Sequence, residues 1–167
     1  ETGLLNSKNG DLSISDKLIE QTGIIGEKIE IGNFKKLSGK HIGGYVHAGN
    51  KIAAMVALSD SNPVAEEVSK NVAMQVAAMN PLALNENSVD SSIVKKETEI
   101  IKEQLLKEGR PENIIDNIIV GKLKRFYKDN TLTGQSYIKD PKVSVEDYVK
   151  SIDKNLSITS FIRVSLV

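Results

Sequence analysis

Two histidines, His41 and His47, are the only imidazoles in the chain, six residues apart in a stretch that reads as one β-strand, so both should project from the same face. A pair of imidazoles can begin a zinc site, but no third ligand is marked by spacing, so neither a metal nor a cofactor is expected. Ser38-Gly39-Lys40 superficially resembles the end of a phosphate loop. Phe34, however, takes the place of the first glycine, and His41 stands where Ser or Thr would hold magnesium, so the segment reads as a turn between strands. The acidic pairs Glu66-Glu67 and Glu146-Asp147 fall at helix starts, where carboxylates favour the macrodipole; capping suits them better than acid/base catalysis. No Gly-x-Ser-x-Gly elbow is present, and nothing activates a nucleophile. The chemistry to expect is recognition, not catalysis.

The elements that carry these residues follow from periodicity. Residues 1–10 are polar and hold the turn signal Asn9-Gly10, so a flexible opening segment is expected. Ser13-Ile14-Ser15-Asp16 then caps a short helix through Leu18, Ile19, Ile24 and Ile25 that stops near Gly26. Lys28-Ile29-Glu30-Ile31 alternates as a strand does, and residues 41–48 and 51–59 form a hairpin around Gly49-Asn50, which together read as a three-stranded antiparallel meander. Asn62-Pro63 should open a helix with Asn62 as its cap and Val64, Val68, Val72, Val76 and Met79 on its buried face. This first part of the core spans residues 11–80.

Residues 81–129 read as an inserted helical hairpin. One stripe holds Val89, Ile93, Ile100, Ile101 and Leu105; the other, after Gly109-Arg110-Pro111, holds Ile114, Ile115, Ile118, Ile119, Leu123 and Phe126. Residues 130–167 complete the core with an irregular segment to Pro141, a short helix opened by Ser144-Val145-Glu146-Asp147, and a final alternating strand from Leu156. The fold class expected is α+β: an antiparallel sheet packed with helices, interrupted by an antiparallel helical hairpin.

Composition narrows the partners. The 167 residues contain no cysteine, which suits a reducing cytoplasm and removes disulfides and thiolate metal sites. With 22 basic and 22 acidic residues the formal charge is zero, so nonspecific nucleic-acid binding, which rests on many cation–phosphate contacts, is not expected. Lys122, Lys124, Arg125 and Lys128 form a short basic patch that reads either as a solvated helix end or as an RNA contact, the former being favoured. The longest apolar stretch, residues 52–58, is too short to cross a bilayer, and no signal-peptide pattern opens the chain, so no membrane association is expected.

A family resemblance emerges from several runs together. Ile25-Gly26-Glu27-Lys28-Ile29, then Gly43-Gly44-Tyr45-Val46-His47 with Lys51-Ile52, resembles the second half of the core of elongation factor Ts. So do Val72-Ala73-Met74-Gln75-Val76-Ala77-Ala78 before Pro81, Gly121-Lys122-Leu123-Lys124-Arg125-Phe126-Tyr127, and Leu132, Gln135, Lys139-Asp140-Pro141 and Phe161-Ile162-Arg163. They keep the family's order and approximate spacing from residue 23 to the end.

The resemblance implies a role in translation: binding elongation factor Tu and promoting release of its GDP, a guanine-nucleotide exchange that makes or breaks no bond. It implies that Ile25, Gly26 and His47 meet the partner's nucleotide-binding domain, and that Tyr137 and Ile138 meet its third domain. Ile25 also reads as a helix-end core residue, Gly26 as an ordinary helix stop, and the 137–138 stretch as a loop lying on its own core. The alternative function is self-association through the hairpin at 88–126, as the comparable hairpin does in some family members; its seam also serves internal pairing alone. The family's small helical N-terminal domain and its Thr-Asp-Phe-Val segment have no counterpart here, and the start at Glu1 fits a fragment lacking both. His47 is followed by Ala48-Gly49-Asn50, which departs slightly from the family's glycine-rich turn.

Overall fold

A computed structural model describes residues 2–166 and resolves the chain into two compact units, Glu1–Lys36 and Leu37–Val167. The first unit opens on a short helix α1 (Thr2–Leu5) and two strands, β1 (Lys8–Asn9) and β2 (Leu12–Ser13), paired antiparallel with Asn9 opposite Leu12. Asn9 and Leu12 pair across the two-residue loop Gly10-Asp11, with Gly10 at φ +73°, which builds a minimal hairpin. That hairpin delivers Ser13 to the start of α2 (Ile14–Ile25), where its hydroxyl accepts from the Asp16 N–H at 3.1 Å. The helix ends at Gly26, whose left-handed φ of +79° lets its N–H reach the Thr22 carbonyl at 2.9 Å.

Residues 27–40 have no regular structure, so the alternating 28–31 stretch is not the third strand of a meander. Alternation marks which side chains share a face but supplies no ladder partner, and without one a strand does not exist. The stretch is held locally: the Ile29 N–H donates to Thr22 Oγ1 at 3.3 Å, and Lys28 pairs with Glu30 at 2.5 Å.

In the second unit β3 (His41–Val46) and β4 (Ile52–Leu58) form the expected antiparallel hairpin, His41 facing Leu58 and Val46 facing Ala53. Helix α3 (Ala65–Met79) lies on this sheet with Val68, Val72, Ala73 and Val76 buried. It starts two residues later than Asn62-Pro63 suggested. Asn62 still organises the entry: Oδ1 accepts from the Val64 N–H at 3.2 Å, and Nδ2 donates to Asp153 at 2.7 Å. The helix comes so close that a Cβ on Gly43 would stand 2.0 Å from Ser69 Oγ.

The chain then leaves the core. Asp90 caps α4 (Ser91–Lys107) by accepting from the Ser92 N–H at 2.8 Å, and the hydrogen bonds from Ser92 hold its carboxyl below the usual range. After Gly109, at φ +70°, α5 (Glu112–Asn130) returns antiparallel to α4. The pair has its own seam of Ile101, Leu105, Ile115 and Ile119, supported by Ile118 and Leu123. Its two ends are stitched together where the Leu132 N–H donates to the Ala83 carbonyl and the Leu82 N–H to the Asn130 carbonyl, both at 2.9 Å.

The return segment is not irregular throughout: β5 (Ser136–Tyr137) pairs with β6 (Asp140–Ser144). Ser144 and Asp147 then form a reciprocal capping box at the start of α6 (Val145–Ile152), as their spacing suggested. The final strand, β7 (Ile158–Ser165), pairs antiparallel with β4, so the sheet order is β3-β4-β7. The fold class is α+β, and the third strand comes from the far end of the chain.

Replacing Gly43 by alanine should force α3 off the sheet and cost about 1–3 kcal/mol, as overpacking does. Equilibrium denaturation checks this, and adding Ser69→Gly should recover part of the loss, because Ser69 supplies the nearest clash.

Candidate functional site

The turn after β3 is an exposed feature of the second unit with a fixed backbone. The His47 N–H donates to the Ile52 carbonyl at 2.8 Å, and the His47 carbonyl accepts from the Asn50 N–H at 3.0 Å. Gly49 and Asn50 take positive φ, +88° and +56°, which a tight hairpin turn requires and which glycine and asparagine tolerate best. The backbone under His47 is therefore pinned while its side chain stays exposed. Its Nδ1 lies 3.1 Å from the hydroxyl of Tyr45, whose ring packs against the main core.

His41 and His47 do not form a pair. His41 opens β3 and His47 lies just beyond its end, which at the usual rise separates them by about 20 Å. His41 instead links the strand to the helix above, with Nε2 3.2 Å from Ser69 Oγ and 3.4 Å from a Glu66 carboxylate oxygen. Among the described residues, no group of three or more His, Cys, Asp or Glu is placed to hold a metal ion.

Ile25 and Gly26 belong to the first unit. Ile25 is 56% exposed at the last turn of α2, so it is not a helix-end core residue, and Gly26 performs the helix stop described above.

Tyr137 and Ile138, implied as contacts to a partner's third domain, also read as a loop lying on its own core, and for Tyr137 burial corrects the first reading. It is 4% exposed and stacks on Tyr148 with ring centroids 4.1 Å apart and planes 14° from parallel. Burial, aided by the hydrogen bond with Tyr148, pushes its phenol above the ordinary tyrosine range, so it stays neutral. Tyr137 ends β5 with its side chain turned inward, while Ile138 opens the turn to β6 and is 36% exposed.

Below this turn lies a residue the sequence reading assigned no task. Gln75, fully buried on α3, accepts from the Ile138 N–H at 2.8 Å through Oε1. Its Nε2 donates to the Gln135 side chain at 3.2 Å and to the Ser136 carbonyl at 3.1 Å. Beside it, Lys139 donates to Asn71 and Asn71 to the Tyr148 hydroxyl, both at 2.7 Å. A glutamine amid the run of valines and alanines from Val72 to Ala78 is the signal that could have revealed this anchor.

Two further surfaces are exposed on the second unit. Val46 and Met55 are exposed on the sheet face opposite α3, alongside Val164 and Ile162 through the strand register. Lys122, Lys124, Arg125 and Lys128 sit exposed on α5, where Arg125 is already paired with Asp129 at 3.5 Å. No helix among the described residues is long and apolar enough to cross a membrane.

Comparison with known proteins gives a consistent result. The sequence model of the family described as Elongation factor TS matches residues 2–167. The chain is 58% identical over 155 residues to the elongation factor Ts of Christiangramia forsetii, covering 93% of this chain and 57% of that protein. It is 56% identical over 166 residues to the elongation factor Ts of Flavobacterium psychrophilum, covering 99% of this chain and 60% of the relative. With that of Porphyromonas gingivalis the identity is 37% over 154 residues, 92% of this chain and 56% of the relative. The chain thus spans less than two thirds of the length of these curated relatives.

The two aromatic candidates should separate cleanly by stability. His47→Ala should shift unfolding free energy by no more than about 0.5 kcal/mol, as exposed substitutions do, whereas Tyr137→Ala should cost about 3–5 kcal/mol. Urea titrations of both variants measure the contrast.

Proposed function

This chain belongs to the elongation factor Ts family, and from that premise we propose that it binds elongation factor Tu and promotes the release of GDP. The observation that carries the reading is His47: an exposed imidazole on a pinned turn, in a position that no core packing demands. Such a side chain costs little ordering entropy on association and is available to a partner.

The mechanism is linkage. GDP is held on its carrier by backbone N–H groups of a phosphate loop and by magnesium, so a protein that binds best to the distorted, emptied site weakens GDP by the same factor that GDP weakens it. The chain contributes contact free energy to one conformation of its partner and makes or breaks no bond, which is the sense in which it is not an enzyme. His47 and Ile25 are the proposed contacts to the nucleotide-binding domain, with Gly26 holding Ile25 in place. Ile138 is the proposed contact to the third domain, and Tyr137 supports it from within the core.

A second reading concerns the helical hairpin. Leu106 and Val120 are 47% and 55% exposed outside the seam that α4 and α5 share, and Ile93, Ile100 and Ile114 are also exposed. These residues suit self-association, which is compatible with binding elongation factor Tu.

Calorimetric titration into nucleotide-free elongation factor Tu should give saturable binding that His47→Ala weakens by about tenfold or more, the scale of an interface anchor. No heat at high micromolar concentration from the wild-type chain would count against the reading. Sedimentation over a wide concentration range decides the hairpin question: mass rising with concentration and abolished by Val120→Glu supports association, and a monomer throughout removes it.

A further inference from the structure

We propose that Tyr45 is a positioning residue for His47: its phenol O–H donates to Nδ1 and holds the imidazole as the Nε2–H tautomer. The turn then presents an outward N–H donor to an acceptor oxygen of the partner, a backbone carbonyl or a carboxylate. The recognition part rests on the proposed contact role of His47.

The geometry begins with the 3.1 Å separation between the Tyr45 hydroxyl and His47 Nδ1. The ring centroids are 6.0 Å apart and the planes are tilted by 58°, so the hydrogen bond, not face-to-face stacking, sets the imidazole's orientation. Between a neutral phenol and a neutral imidazole, the phenol is the better donor and the unprotonated ring nitrogen the better acceptor, which selects O–H···N over N–H···O. Once Nδ1 accepts, the ring proton resides on Nε2, because a neutral imidazole carries one proton.

Tyr45 is suited to the task because it is itself fixed. Its backbone sits in the β3–β4 ladder opposite Ala54, and its ring packs against the main core. The strand period places residues 45 and 47 on the same side, so the hydroxyl reaches its neighbour. With the backbone N–H and carbonyl of His47 both bonded and Nδ1 occupied, Nε2 is the remaining polar atom of an exposed residue. A donor held in one direction recognises an acceptor; it would reject a partner group that itself presents an N–H.

The test joins a spectroscopic readout on the free chain to a binding readout. Two-bond proton–nitrogen correlation spectra, taken where the imidazole is neutral, should show Nδ1 unprotonated in the wild type. Tyr45→Phe should move the signals toward the mixture of an unrestrained ring. Because this substitution keeps the ring that packs on the core, the denaturation midpoint should not move. Its affinity for nucleotide-free elongation factor Tu should fall about fivefold, the scale of one hydrogen bond. His47→Gln, whose amide N–H can stand in for Nε2–H, should recover part of the affinity lost in His47→Asn. A proton on Nδ1 in the wild type, or Tyr45→Phe with unchanged spectrum and affinity, overturns the inference. An Nε2–H tautomer in a wild-type chain that does not bind at all overturns it through the function it rests on, a failure the nitrogen spectrum distinguishes from the first.

Discussion

The amide of Gln75 is the interaction on which the second unit depends most directly. It lies on α3 with no exposed surface, and its carbonyl and amino groups are both satisfied by residues 135–138, some sixty positions later in the chain. Those partners arrive only after α4 and α5 have intervened, so the core is completed by a segment that must return from a long excursion. A buried polar group without partners costs about 1–3 kcal/mol, so other ways of bringing the return segment back are penalised. Gln135 extends the network, accepting from the Val145 N–H at 2.9 Å through its backbone carbonyl and donating to the Asp129 carbonyl at 3.1 Å through its side-chain Nε2. The side-chain amides of Gln75 and Gln135 thus register the end of α5 and the turn carrying Ile138 against α3, and the Gln135 backbone adds the start of α6.

The closure of the sheet follows from that registration. β4 is the central strand and needs a neighbour on each side; β3 is adjacent in sequence, but β7 comes from beyond the hairpin. The loop-closure entropy grows only slowly with the length of the insertion, and α4 and α5 satisfy most of their apolar surface with each other. The hairpin can therefore interrupt the core at little thermodynamic cost, provided its two ends meet. They do so at the bridge between Ala83 and Thr131. Asn62 adds a clasp at the other end of α3 through its bond to Asp153.

Both exposed side chains proposed as contacts in this unit are carried by backbone that is fixed from below. His47 stands on a turn bonded at both its N–H and its carbonyl, beside a core-packed tyrosine; Ile138 hangs from a backbone N–H held by Gln75, next to the stacked pair Tyr137 and Tyr148. Preorganised display of this kind reduces the entropy lost on association. The inward-facing residues support different outward ones: Gln75 and Tyr137 lie beneath Ile138, and Tyr45 lies beside His47.

Much of the secondary structure is written locally. The Gly26 stop, the Ser144–Asp147 capping box, the hairpin around Gly49-Asn50 and the twin stripes of α4 and α5 each depend on residues within a few positions of one another, so propensity and capping are enough to mark them. What the tertiary structure decided is which elements meet. Residues 28–31 and 158–165 alternate equally well, yet only the second finds a place beside β4, because alternation defines faces and carries no address for a partner. Tyr137 reads equally as an interface residue and as part of a loop lying on its own core until burial decides for the second, and nothing near Gln75 in sequence names the three partners that arrive from across the hairpin. The physical reason is the same in each case: local geometry is set by short-range sterics and hydrogen bonds, whereas burial is a property of the surface that another part of the chain supplies.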